Sequence, residues 1–130
     1  MKPSVRLMSV SLVLVASLAI GAFYFFRREE ICGWSTKQER EAALRMDLLT
    51  MRLAIDNYTL DKQGPPKSLQ GLVDTHYLKK IPIDPFTCKR DWVLPIEEME
   101  LSPNQRATGI VDVHSNSDQR GSDGAAYSAW

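Results

Sequence analysis

The chain has 130 residues, 44% of them hydrophobic, with 16 basic and 16 acidic side chains and a formal net charge of zero. That length holds one domain of ordinary size, and the neutral balance lacks the basic footprint of a nucleic-acid partner. Two cysteines are too few for a disulfide scaffold and have no zinc-ligand spacing.

From Leu7 to Phe26 the chain reads LMSVSLVLVASLAIGAFYFF, uncharged and long enough to span a bilayer core as a helix of roughly 30 Å. Lys2 and Arg6 precede this run. They would also suit a cleaved secretory signal, with small-residue sites at Ala16 to Ala19 or Ala19 to Ala22. The run continues through Phe23, Tyr24, Phe25 and Phe26, which a cleaved signal does not need and an interfacial aromatic belt would use. We therefore expect an uncleaved anchor over 7–26, preceded by residues 1–6 and followed by a linker over 27–36. Arg27, Arg28, Lys37 and Arg40 put more positive charge after the run than before it, which taken alone would place the remaining chain in the cytoplasm. Cys32 and Cys88 could pair in an oxidising compartment and stay free thiols elsewhere.

Thr36 with Glu39 three residues on forms a capping-box signature. No Gly or Pro interrupts the chain from Lys37 to Lys62. Leu44, Leu48, Met51, Ile55 and Tyr58 recur at intervals of four, three, four and three, which predicts one buried face of a helix roughly 35–40 Å long. A second set, Met46, Leu49, Leu53 and Leu60, either widens the core stripe or meets a neighbouring subunit. Gly64-Pro65-Pro66 stops the helix, and Ser68 caps a short second one carrying Leu69, Leu72 and Val73 and ending near Thr75 or His76. Pro82 and Pro85 then enforce an extended path. Strands are expected over 91–96 and 109–115, with a third within 98–101, giving an α+β class.

Several chemistries find no support. His76 and His114 are the only histidines and lack partners at metal or triad spacing. There is no nucleophile elbow and no phosphate-cradling glycine loop. Glu97, Glu98 and Glu100 read as a solvated charge run. From Glu97 onward six acids face only Arg106 and Arg120, so this half suits solvent or a cation. Within 115–124, Asp118, Asp123, Ser117 and Ser122 supply oxygens of the kind calcium takes, though without EF-hand spacing; a plain polar loop is the other reading.

The order and spacing of Leu49-Thr50-Met51-Arg52, Ala54-Ile55, Tyr58, Asp61, Gly64, Pro66, Ser68-Leu69, Leu72-Val73, Tyr77-Leu78-Lys79, Ile81-Pro82 and Asp84-Pro85-Phe86 resemble a major pseudopilin of the type II secretion system. So do Trp92-Val93, the run from Gly109 to Ser115 and the closing Trp130. The resemblance covers roughly residues 39–130. It implies a pilin-like fold, with an N-terminal membrane helix and a long amphipathic helix packed on a small antiparallel sheet. It further implies a non-enzymatic structural subunit in the bacterial inner membrane, single-pass, with its C-terminal domain (37–130) in the periplasm. Other pseudopilins or inner-membrane secretion proteins would be its partners, and homo-oligomers are possible. The implied calcium loop would place Asp118 as first acidic ligand, with Asp123 approximately matching the second. The N-terminus departs from the family pattern: no Phe-Thr-Leu-x-Glu opens the apolar run, which puts prepilin processing and polymerisation in doubt. The alternative that this departure favours is an anchored periplasmic binding module that reuses the fold without fibre assembly.

Overall fold

The computed structural model describes Ala16, Ser17, Cys32 and residues 35–130. The chain divides into two compact units, Met1–Ser35 and Thr36–Trp130. In the first, Ala16 and Ser17 are helical and exposed; the rest of the expected anchor lies outside the described residues. Among the described residues, no helix is long and apolar enough to cross a membrane.

The second unit is α+β. Its long helix, α1, runs Lys37–Lys62 and opens on the predicted capping box. The Glu39 N–H donates to Thr36 Oγ1 at 3.2 Å while the Thr36 N–H donates to Glu39 Oε2 at 2.8 Å, so two of the orphan donors of the first turn are satisfied. Leu44, Leu48, Met51 and Ile55 are at most 2% exposed, and Tyr58 packs against them from the edge. The second apolar set departs from a widened core stripe. Met46, Leu49, Leu53 and Leu60 are 62, 52, 51 and 76% exposed.

The helix ends at Lys62, just before the Gly64-Pro65-Pro66 stop. Gln63 takes the left-handed conformation, φ 53°, and donates its N–H to Thr59 O, and buried Pro65 and Pro66 bar further turns. The short helix α2, Leu69–Asp74, starts from Ser68, whose Oγ accepts the Gly71 N–H at 3.0 Å. It buries Leu69 and Leu72 against the core.

The sheet differs from expectation in its boundaries. It has two antiparallel strands, β1 Ile96–Ser102 and β2 Gln105–Ile110. They are joined across Pro103 and Asn104, with Ile96 opposite Ile110 and an irregularity between Glu100 and Ser102. The segment 91–96 contributes only the Val93–His114 bridge outside β1, and 109–115 contributes the end of β2 and that same bridge. The acidic run read as solvated is the exposed strand β1 itself. The hairpin hides little apolar surface, so it has no strong period-2 pattern. Its buried end, Gly109 and Ile110, meets the turn after α1. The Ile110 N–H donates to Pro66 O at 2.8 Å, and a Cβ on Gly109 would lie 2.6 Å from that same oxygen. Only glycine allows this approach.

The core of α1 is therefore covered less by the sheet than by α2, by Leu78, Phe86 and Trp92, and by Val113 and Tyr127 from the closing loop. Within it Asp84 is fully buried. Its carboxylate accepts the Ser115 hydroxyl at 2.6 Å and the Phe86 N–H at 2.8 Å, which offsets the desolvation cost of burying a charge.

Candidate functional site: the closing loop and its anchor

The residues that follow β2 return to α1 and are held at three levels along it. At the first turns, Glu41 is 6% exposed. Its carboxylate accepts the Ser122 N–H at 2.8 Å, the Ser122 hydroxyl at 2.7 and 2.9 Å, and the Tyr127 hydroxyl at 2.8 Å. The Ser122 hydroxyl, and less strongly Tyr127, hold this carboxyl below its ordinary value against the opposing effect of burial. Desolvation and then the bond to Glu41 push the Tyr127 phenol up to about 12.

One turn on, an aromatic group seats the end of the loop. Phe86 stacks on Tyr127 with ring centroids 3.8 Å apart, and Trp130 meets Tyr127 edge-on at 4.9 Å. Two cations of α1 cover it, Arg40 over Phe86 at 4.9 Å and Arg45 over Trp130 at 4.4 Å. At mid-helix, Arg52 donates to Asp112 Oδ1 at 2.7 Å, to Val113 O at 3.0 Å and to the main-chain oxygen of Trp130 at 2.7 Å. His114 Nδ1 lies 2.9 Å from that same Trp130 oxygen, and its Nε2 lies 3.2 Å from Asp112. Burial acts upward on the Asp112 carboxyl, but the Val113 N–H and the Arg52 guanidinium outweigh it and hold it below the usual value.

Between these anchors the expected metal-loop residues separate. Ser122 is committed to Glu41. Ser117 is buried, its Oγ accepting from the Gln119 N–H at 3.4 Å and its carbonyl from the Ser128 N–H at 2.9 Å. Asp118 is exposed and accepts the Ser128 hydroxyl at 3.1 Å. Asp123 is exposed at the tip of a tight turn, where it accepts the Ala125 N–H at 3.0 Å and the Gly124 N–H reaches back to Gly121 O. Gly121 lies beneath: a Cβ there would come within 2.6 Å of the Trp130 ring. Of the four oxygen donors, only Ser117 is buried. Among the described residues, no three His, Cys, Asp or Glu side chains group as a metal site; an ion here would rest on the two aspartates, carbonyls and water.

Both cysteines are disulfide-bonded. Cys88 sits in a turn with φ 57°. His76 is exposed, whereas His114 is half-buried in the Arg52 network.

Sequence reasoning passed over Glu41 and Arg52 as anchors. A signal for Glu41 was present: it stands three residues before Leu44, in register with the buried face. A charged residue at a core position needs a polar partner. The partner itself lies 81 residues away, beyond the reach of local pattern.

No family model matches this chain, and no curated protein or solved structure matches it.

Proposed function

We propose that this chain is a pseudopilin-like structural subunit, anchored in the bacterial inner membrane by residues 7–26 and working in or beside a type II secretion system. It acts by protein packing and not by catalysis. The observation that carries the reading is where the resembling residues lie. Arg52, Asp84, Phe86, Asp112, His114, Ser115 and Trp130 are scattered over the sequence, yet they hold one another and the closing loop. A resemblance made of order and spacing alone has no reason to fall on mutual contacts unless those positions maintain a shared architecture.

The disulfide-bonded state of both cysteines supports a periplasmic domain, because cytoplasmic disulfides are rare. That argument opposes the orientation drawn from the positive residues. The second reading, an anchored periplasmic module outside any fibre, is favoured by one feature, the missing Glu in the apolar run.

Deletion of the chain from its host, followed by assay of the exported protein fraction, tests the proposal. Retention of type II substrates in the periplasm, reversed by the full chain, is the expected result. Unchanged export, with the chain recovered in the cytoplasm, would end it. Unchanged export with the chain in the inner membrane, facing the periplasm, would transfer support to the second reading.

A further inference from the structure

The backbone of His114 is fixed by the Val93 bridge, in which the two residues exchange main-chain hydrogen bonds of 2.9 Å each. Its ring is half-buried, with the side chain 26% exposed. The two ring nitrogens meet different oxygens. Nδ1 lies 2.9 Å from the main-chain oxygen of Trp130, and Nε2 lies 3.2 Å from Asp112 Oδ2. Neither oxygen has a proton to give. The main-chain oxygen only accepts, and the Asp112 carboxyl, raised by burial but lowered further by the Val113 N–H and Arg52, is ionised. A neutral imidazole carries one N–H and one lone pair. Whichever tautomer it took here, its lone pair would face an oxygen. Only the doubly protonated ring donates on both sides.

We infer that His114 is a pH-sensitive latch on the closing loop: as an imidazolium it ties Asp112 to the main chain at Trp130, and on losing a proton it lets one of the two go. The charged groups around it are few. From its own segment Asp112 favours the charged ring. From α1, Arg52 opposes it, and Arg45 adds a second positive charge on the Trp130 indole at 4.4 Å; Val93, across the bridge, carries none. Arg52 and His114 nevertheless divide their acceptors without competing. Arg52 takes Asp112 Oδ1 while His114 faces Oδ2, and the Trp130 oxygen has a lone pair for each. Arg52 keeps its charge at every working pH and holds the loop permanently. Imidazole changes charge between about pH 5 and 8, so the second tie is conditional. Because the charged ring favours the folded arrangement, the latch is closed at low pH and opens as pH rises. The Glu41 anchor responds in the opposite direction, since its lowered carboxyl holds the loop only while ionised. The latch does not rest on the secretion reading, because it concerns only how this loop is held.

The test uses the full chain in detergent micelles and reads the amides of Ser128, Ala129 and Trp130, which donate to the carbonyls of Ser117, Ala126 and Tyr127. After correction for the intrinsic pH dependence of amide exchange, these amides should be about tenfold better protected at about pH 5.5 than at about pH 8, the effect of one hydrogen bond to a charged group. His114→Gln should remove that difference, whereas His76→Gln, at the exposed second histidine, should keep it. Asp47, whose carboxyl is raised to about 6, is present in all three chains and cancels in the comparison. Nitrogen NMR of the parent at about pH 5.5 should show N–H protons on both His114 ring nitrogens, exchanging more slowly than those of His76. That measurement needs no variant, so it decides even where His114→Gln destabilises the fold. Protection that is flat with pH, that rises with pH, or that varies equally in the His114→Gln chain would overturn the inference. So would His114 ring protons that exchange as fast as those of His76.

Discussion

Replacing Asp47 by Asn should stabilise the protein, and only above a definite pH. Asp47 lies half-buried on α1. Burial, and then the charge of Asp84, raise its carboxyl from 3.8 to about 6, with Lys80 acting in the opposite direction. Below about pH 3.8 the group is protonated in both the folded and unfolded chain, so it costs nothing. Between those values the folded chain keeps a proton that the unfolded chain has released, and above about pH 6 the folded chain bears the full cost of the ionised form. Stability is therefore lost as pH rises from about 4 to 6. At 1.36 kcal/mol per pH unit the ceiling is about 3 kcal/mol, and solvent screening of a half-buried group leaves about 1–2 kcal/mol. At about 4–8 °C per kcal/mol for a domain of this size, Asp47→Asn should melt roughly 4–15 °C above the parent at pH 7.5 and together with it at pH 3.5. Thermal melts of the full chain across that range, followed by circular dichroism, provide the assay. A difference that is flat with pH, or a variant less stable throughout, would refute the reasoning.

Leu48→Asp or Ile55→Asp should unfold the second unit, since an unpaired carboxylate in that core costs several kcal/mol, much of a small domain's stability. A native circular dichroism spectrum and melting temperature in either variant would contradict the placement. Glu41→Ala should free residues 117–130 to exchange amide hydrogens faster while α1 keeps its protection, because Ser122 and Tyr127 lose their acceptor; unchanged exchange in the loop would show that the anchor is elsewhere. As pH falls below 4.5, the ordinary value for Glu41, the parent loop should loosen in the same way, because its lowered carboxyl favours the folded state only while ionised. Millimolar calcium should raise the melting temperature by several degrees, with EGTA reversing the rise, magnesium substituting poorly and Asp118→Ala abolishing it. A melting curve indifferent to calcium would remove the metal proposal and leave the fold intact.

What was legible in the sequence was local. The capping box, the 26 residues of α1 and the Ser68 cap of α2 depend on neighbours within four residues, and periodicity reports such neighbours directly. The hairpin was blurred because its strands are mostly exposed, and burial is what writes a period-2 pattern. Periodicity also named Leu44, Leu48, Met51 and Ile55 as the buried face of α1, which the core takes, yet it could not say whether the second apolar set widened that face or stayed outside it. That choice depends on where the chain returns, and the return is made by Arg52, Asp84 and Glu41 to partners 31 to 86 residues away.

The closing loop illustrates the same limit in its chemistry. Residues 115–124 contain no apolar side chain, so nothing within that window can be buried to order it. Their order comes from residues just outside that window. Tyr127 is fully buried, stacked on Phe86 and bonded to Glu41, and Ser122 shares the same carboxylate. The loop is thus fastened at both ends by α1 before any ion is considered. Calcium at Asp118 and Asp123 would meet a backbone already placed, so its effect should be largest on the tip around Asp123 and small on the Tyr127 anchor. Hydrogen exchange resolved along the loop distinguishes this from metal-driven folding. Protection gained at 121–125 alone fits a ligand on a preformed loop, whereas protection gained throughout 115–130 would mean that the hydrogen bonds to Glu41 are too weak to hold it.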